Sequence, residues 1–282
     1  MFLSDASARY FRAKELDNYS PRTLDAYRLQ HRLLIEAIGD LPVDEIATDH
    51  LRQYLSDATP GRKPATISHR IRALHSFFRW LLDEDHLAAD PSRKIRERID
   101  QNPLPKALSA EEFEFLRDAC KTPREHAILE MFFATGARLT ETATMLKERV
   151  NWDARSVIIF GKGRKEREVY FGVKAALWTK RYLAARTDDQ PTVFVTARKP
   201  YRPMHAHTIY HEIKKIAQRA GMGHKVSPHT LRHTFATTLL DNGADITVIQ
   251  SLLGHTKIST TQIYAKLSGR RRRMEYDRYF MQ

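Results

Sequence analysis

The stretch SPHTLRHTFATTLLDNGADITVIQSLLGHTKISTTQIYAKL, residues 227–267, decides how this chain is read. Ser227 followed by Pro228 reads as a helix N-cap and first helical residue. Leu231, Phe235 and Leu239 recur at helical spacing and predict a buried stripe. DNG ends that helix, Asp245 caps the next, and Gly254 stops it directly before His255. Ser259 with Gln262 three positions on is a capping-box pattern, and the helix it opens carries Tyr264. His229 and Arg232, three apart, share one face near a helix N-terminus. That end already carries partial positive charge and free N–H groups. Two cationic side chains there oppose stability unless the site holds an anion such as phosphate.

The rest of the chain fits an anionic partner. Its 282 residues suit two domains of ordinary size, and the net charge is +13. The charge is unevenly spread. Residues 1–95 balance 14 basic against 14 acidic side chains, so the entire excess lies in the C-terminal two thirds. If DNA is the partner, that part makes more of the phosphate contacts. Cys120 is the only cysteine, which excludes an internal disulfide and a thiolate metal cluster. Its helical context, FEFLRDAC, predicts a core position. The charged first twenty residues predict no leader, and no apolar run approaches membrane-spanning length. A cytoplasmic protein with no membrane partner is expected.

The N-terminal part reads as helices. SPRTLDAYRLQHRLLIEAIG starts at Ser20–Pro21 and stops at Gly39, with Leu24, Tyr27, Leu34 and Ile38 on its apolar face. Thr48 is the expected N-cap of DHLRQYLSD. PATISHRIRALHSFFRWLLDED predicts a long helix buried through Ile67, Ile71, Leu74, Phe78 and Leu81. Its other side carries His69, Arg72, Ser76 and Arg79 with no acid before Asp83, which makes it a candidate DNA face. Pro91, Pro103 and Pro105 then interrupt helix, and residues 93–107 read as a basic linker that either crosses a phosphate backbone or is a solvated connector.

Helical patterning resumes at Ser109, and a second apolar segment over 125–134 is ended by Gly136. ARLTETATMLK follows, with Thr140 as the expected cap and Arg138 in the turn before it. SVIIFGKGRKEREVYF predicts strands at Val157–Phe160 and Glu168–Phe171 around a glycine-bearing turn that presents Lys162. HAHTIYH places His205, His207 and His211 together. No cysteine or carboxylate completes a metal site there, so no metal is expected; the cluster is either a DNA-backbone contact, with Arg202 and His205 as the candidates, or a plain surface group. The tail GRRRRMEYDRYFMQ is either solvated, a DNA contact or a docking segment for a partner.

Taken together, HTLRHT, LLGHT with a tyrosine nine residues on, ATGARLTE and GKGRKER resemble the tyrosine recombinases of the phage integrase and Xer family. The resemblance covers roughly residues 105–270, and the N-terminal helices resemble the family's core-binding domain. It implies a mainly α fold in two domains. Residues 1–92 would be a helical, SAM-like core-binding domain, 93–107 the linker, and 108–282 a mostly helical catalytic domain with a small antiparallel β-hairpin. It also implies roles. Tyr264 would attack a DNA phosphodiester, forming a 3′-phosphotyrosyl bond and releasing a 5′-hydroxyl. Arg138 and Arg232 would hold the non-bridging oxygens, His255 would add a hydrogen bond, Lys162 would protonate the leaving oxygen, and His229 would assist as acid or base. Glu141 would brace the site. Arginine suits the task because its planar fork pairs with phosphate and stays charged. His233 is expected to be structural. No cofactor is needed, because the covalent intermediate conserves the energy of the broken bond.

By the same resemblance the partner is double-stranded DNA in the nucleoid, engaged by four protomers on two sites that are monomers when free. An accessory DNA-binding or directionality protein is a further candidate partner. His69, Arg72, Arg79, Arg164, Lys165 and Arg202 are the expected DNA contacts. The lack of an extra N-terminal arm-binding domain favours a compact Xer-like recombinase. Its expected tasks are integration, excision or resolution of DNA, including chromosome or plasmid dimers. Two rivals stay open: a topoisomerase-like nicking and rejoining enzyme, and a DNA-binding regulator without catalysis.

Overall fold

A computed structural model describes residues 1–97, 107–161 and 165–254. The chain divides into two compact units, Met1–Asn102 and Pro103–Gln282, each with its own apolar core. Among the described residues no helix is long and apolar enough to cross a membrane.

The first unit is built from α1 (Leu3–Leu16), α2 (Pro21–Ile38), α3 (Thr48–Asp57) and α4 (Pro64–Asp83). The Ser20 hydroxyl caps α2 by accepting from Thr23 N at 3.2 Å, and Pro21 takes the first helical position. Gly39, at φ +83°, ends it. In α4 the predicted inward positions Ile67, Ile71, Leu74, Phe78 and Leu81 are all buried. Each such side chain is worth ~1.5–3 kcal/mol of burial. His31 from α2 lies inside this core, 4.4 Å from the Phe77 ring and 5.1 Å from that of Tyr10.

Two expectations for this unit are corrected. Thr48 is the first residue of α3 rather than its cap. Its hydroxyl donates instead to the Pro91 carbonyl at 2.7 Å, while Ala47 N–H donates to His50 Nδ1 at 3.2 Å. The start of the expected linker is also folded onto this unit. Ile95 is buried in the core, and His75 Nε2 donates to the carbonyls of Ser92 and Ile95 at 3.1 and 2.9 Å. An isoleucine among basic residues has more to gain from burial than the adjacent charges lose, since they stay in water.

The second unit contains α5 (Ala110–Asp118), α6 (Pro123–Thr135), α7 (Leu139–Ala143), β1 (Val150–Asn151), β2 (Ser156–Phe160), β3 (Glu166–Tyr170), α8 (Val173–Ala184), α9 (Ala206–Arg219), α10 (Pro228–Asp241) and α11 (Ile246–Leu253). Ser109 and Glu112 close a reciprocal capping box on α5. The apolar segment of α6 is buried on all sides at Ala127, Ile128, Leu129, Met131 and Phe132, so this helix is the centre of the unit. The hairpin is the edge of a three-stranded antiparallel sheet in the order β1-β2-β3. The strand β1 is too short to leave a periodic signal. β3 begins two residues earlier than its apolar residues suggest. In the register, Val157 faces Val169 and Ile159 faces Arg167. Opposed residues share a face, so Arg167 stands on the buried side of the sheet with Val169.

The predicted stripe on α10 is also corrected. Leu231 is buried, but Phe235 and Leu239 are only half-buried. The fully buried positions include Thr230, Arg232, His233, Thr234, Ala236 and Leu240. The helix is enclosed on two sides, because Leu231 joins the main core while Ala236 and Leu240 form a small separate cluster with Ile249 and Leu253 of α11. A helix packed on two faces loses the single-stripe pattern. Cys120 is half-buried beside the core, with its S–H on the Leu116 carbonyl at 3.4 Å, and burial pushes its thiol up to about 12.

Candidate active site

Gly136 and the residues after it place the first arginine. α6 ends at Gly136, which adopts the left-handed conformation at φ +56°. A Cβ there would also lie 2.3 Å from Cδ1 of Phe235, so both backbone and packing require glycine. The reversal makes Arg138 the N-cap residue of α7, correcting the expected cap at Thr140. Thr140 lies inside the helix and accepts from Thr144 through its carbonyl. The orphan N–H of Arg138 is instead satisfied by Glu141, whose Oε2 accepts it at 2.6 Å.

Glu141 is buried and receives four hydrogen bonds. Besides Arg138 N–H, its Oε1 accepts from Arg138 Nη1 at 2.8 Å. Arg167 donates to both oxygens, Nη1 to Oε1 at 2.8 Å and Nη2 to Oε2 at 2.6 Å. Burial raises the carboxyl pKa, but the hydrogen bonds from Arg167 and Arg138 and the charge of Arg167 outweigh it and hold the group at about 2. Glu141 is therefore a fixed anion that fixes the Arg138 guanidinium.

The second arginine arrives from α10. Ser227 caps that helix by accepting from Thr230 N at 3.2 Å. Arg232, one turn in, is buried; its Nη1 donates to the Gly136 carbonyl at 2.6 Å and its Nη2 to the Leu253 carbonyl at 2.7 Å. Arg138 Nη2 donates to the next carbonyl, Gly254, at 2.9 Å. Arg167 Nε donates to Leu252 at 2.9 Å. Three consecutive carbonyls at the C-terminal end of α11 thus each take one guanidinium. This end carries the negative pole of the helix dipole and unpaired acceptors, which is what orients cations there. Each arginine has five N–H donors, so these contacts aim the side chain without exhausting it.

The structure brings Arg138, Glu141 and Arg232 together. His229 stands exposed in the first turn of α10. His233 is buried on the same helix, and burial lowers its pKa. Lys162, Arg164, His255, Tyr264, the expected cap at Ser259 and the tail lie outside the described residues. Gly161, directly before Lys162, borders the cluster, since a Cβ there would lie 3.6 Å from Glu141 Oε1. Gly254, directly before His255, is itself a member of it. Arg167 is missing from the expected site. Its signal is the alternation Arg167, Val169, Phe171, which sets a charged residue in phase with two buried apolar ones.

The expected DNA contacts lie elsewhere. On α4, Arg72 and Arg79 are exposed and paired with Glu97 at 3.4 Å and Asp83 at 2.9 Å, and His69 lies 6.2 Å from the Tyr27 ring. Lys165 and Arg202 are exposed. His207 and His211 meet through their Nε2 atoms at 2.9 Å. Among the described residues no group of three or more histidine, cysteine, aspartate or glutamate side chains is placed to hold a metal.

Residues 106–271 match the phage integrase family, and residues 8–86 match the phage integrase N-terminal SAM-like domain. The tyrosine recombinase XerD of Pseudomonas putida is 37% identical over 79% of this chain and 77% of its own. The tyrosine recombinase XerC of Lactobacillus delbrueckii subsp. bulgaricus is 33% identical over 93% of this chain and 94% of its own. In fold, the chain is similar to the Tn1549 transposon integrase in complex with transposon right end DNA, with a TM-score of 0.80, 19% identity and 99% of both chains covered. It is similar also to a lambda integrase dimer bound to a core site, with a TM-score of 0.78, 17% identity, and 92% and 97% of the two chains covered. With the integrase match spanning more than half of the sequence, and tyrosine recombinases above 30% identity over most of it, this chain belongs to the phage integrase family and is a site-specific tyrosine recombinase.

Proposed function

We propose that this chain cleaves and rejoins double-stranded DNA through Tyr264. Its phenolic oxygen forms a bond to phosphorus at the 3′ side of the break, and the bond from phosphorus to the 5′-oxygen breaks. The phenol proton passes to the nucleophile side, where His229 is the assigned acceptor, and Lys162 supplies a proton to the departing 5′-oxygen. Arg138, Arg232 and His255 hold the non-bridging oxygens as their charge grows toward the transition state. Rejoining runs the same steps backward with a different 5′-hydroxyl. The observation that carries this reading is the pair of guanidinia from distant segments, Arg138 and Arg232, fixed on adjacent carbonyls beside the residue that leads into His255.

The N-terminal unit would bind the duplex through the α4 face with His69, Arg72 and Arg79. The ion pairs those arginines make with Glu97 and Asp83 are solvent-exposed and worth ~0–1 kcal/mol, so phosphate displaces the carboxylates readily. Arg164, Lys165 and Arg202 would add contacts from the catalytic unit, residues 108–282. Four protomers would act on two sites in the nucleoid, with an accessory DNA-binding or directionality protein as a further candidate partner. The likeness to XerC and XerD over most of the chain favours resolution or exchange between two like sites over simple relaxation.

Covalent trapping tests the proposal. Wild-type protein and Tyr264→Phe are incubated with fragmented genomic DNA of the host, denatured, and the DNA that stays attached is sequenced. Attachment to one short, roughly palindromic site, seen with wild type alone, is expected. Equal attachment by both proteins removes Tyr264 as nucleophile. No attachment by either leaves the DNA-binding regulator as the better reading.

A further inference from the structure

Arg167 closes the GKGRKER stretch without being one of the residues expected at the site, yet it bonds both Glu141 and the end of α11. It projects from the buried face of β3, in register with Ile159, and is itself largely buried. Its three nitrogens make three bonds to two partners. Nη1 and Nη2 hold the two oxygens of Glu141, and Nε holds the Leu252 carbonyl at the end of α11. Two glycines close on the same guanidinium. A Cβ at Gly161 would lie 3.5 Å from Nη1, and a Cβ at Gly254 would lie 2.9 Å from it. Gly161 is the root of the hairpin turn that carries Lys162, and Gly254 is the last residue before His255. The space a side chain would occupy at Gly254 is filled by Arg167.

We propose that Arg167 is a positioning residue of the cleavage site, a three-point anchor that sets the hairpin root and the end of α11 against the Glu141–Arg138 pair. The inference rests on the strand-cleavage reading above. The geometry requires an arginine. A lysine carries the same charge but only one nitrogen, so it can pair with Glu141 and cannot also hold Leu252 along a fixed plane. Losing the anchor leaves the phosphate-facing groups present but misplaced, and misplacement by ~1 Å costs on the order of 100-fold in rate.

The test compares wild type, Arg167→Gln, Arg167→Lys, Glu141→Gln and the double variant Glu141→Gln/Arg167→Gln. Each is assayed on the same fragmented genomic DNA for the initial rate of covalent adduct formation. Non-covalent capture of the same fragments is measured separately in a Tyr264→Phe background. Arg167→Gln is expected to slow adduct formation by about 100-fold while capture changes by less than about threefold. Arg167→Lys keeps a charge opposite Glu141, so it guards against a variant that fails to fold. It is expected to restore the urea midpoint but not the rate. Since Arg167 acts partly through Glu141, the double variant should be much less impaired than the product of the two single effects. An unchanged rate in Arg167→Gln overturns the inference alone. So does full rescue by lysine, or a loss of capture equal to the loss of rate, which marks a merely structural residue. Absence of adduct from wild type overturns the strand-cleavage reading and this inference with it.

Discussion

Replacing Glu141 with glutamine is the sharpest perturbation of the clamp. The carboxylate accepts four N–H groups, two from Arg138 and two from Arg167, and is only 2% exposed. An amide keeps the shape but turns two donors toward a guanidinium and leaves the largely buried Arg167 without a counter-ion. Breaking one side of a buried pair costs ~3–5 kcal/mol. The depressed carboxyl pKa gives a second figure for the same contacts. The carboxyl is held at about 2 against an ordinary value of 4.5, which corresponds to ~3 kcal/mol of stability in the ionised form. The sign follows from the depressed value. The contribution is complete above pH 4.5 and is lost as pH falls from 4.5 toward 2. The neutral acid resembles glutamine, so the gap between wild type and variant should shrink by ~2 kcal/mol between pH 7 and pH 3. Urea unfolding followed by tryptophan fluorescence measures it, in a Trp80→Phe background that leaves Trp152 and Trp178 as reporters of the catalytic unit. Trp80 belongs to the core of the N-terminal unit, so the packing lost in that background falls outside the catalytic unit being measured. A difference below 1 kcal/mol at pH 7, or one that does not narrow with acid, refutes the ionised-anchor account of Glu141.

Two further outcomes follow from buried positions. His31 is held neutral by burial, with its pKa lowered to about 3. The unfolded chain takes up a proton near pH 6.5 while the folded one does not, so the N-terminal unit should lose ~2 kcal/mol between pH 7 and pH 5. His31→Gln should abolish that slope when unfolding is followed by Trp80 fluorescence in a Trp152→Phe/Trp178→Phe background, and an unaltered slope would locate the acid sensitivity elsewhere. Gly136→Ala combines a left-handed backbone with a Cβ pressed into Phe235, and should cost ~2–4 kcal/mol. Phe235→Leu in the same chain should recover the steric part, so strictly additive losses in a double-mutant cycle would show that the two side chains do not collide.

Much of the fold is legible where one local rule acts alone. Ser20–Pro21 with Gly39, Ser109 with Glu112, and Asp245 with Gly254 bound their helices as caps predict, because each cap satisfies backbone groups within its own few residues. The rule failed where a distant segment offered a competing partner. Thr48 has the chemistry of a cap, but the Pro91 carbonyl takes its hydroxyl. Ile95 sits among proline-flanked basic residues and still buries, because the cleft it fills is made by other elements. The sheet was half visible for a similar reason. β2 is legible on its own as a β-branched apolar run before a glycine-bearing turn, whereas the two residues of β1 form a strand only because Val157 and Ser156 stand opposite them.

The cluster itself divides along the same line. Its motif residues could be ordered from sequence, but nothing local says what holds them. Arg138 is aimed by Glu141, one turn away, and by the carbonyl of Gly254, 116 residues on. Arg232 is aimed by Gly136 and Leu253, which belong to neither its helix nor its motif. The common feature is the end of α11, whose unpaired carbonyls gather guanidinia as any exposed C-terminus gathers cations. A helix that stops at a glycine reads locally as punctuation. Here the stop at Gly254 leaves Leu252, Leu253 and Gly254 with free acceptors facing three arginines. The residue chosen to end the helix is also the one small enough to admit Arg167. The same glycine therefore closes a secondary structure, orients Arg138 and makes room for the side chain that braces Glu141.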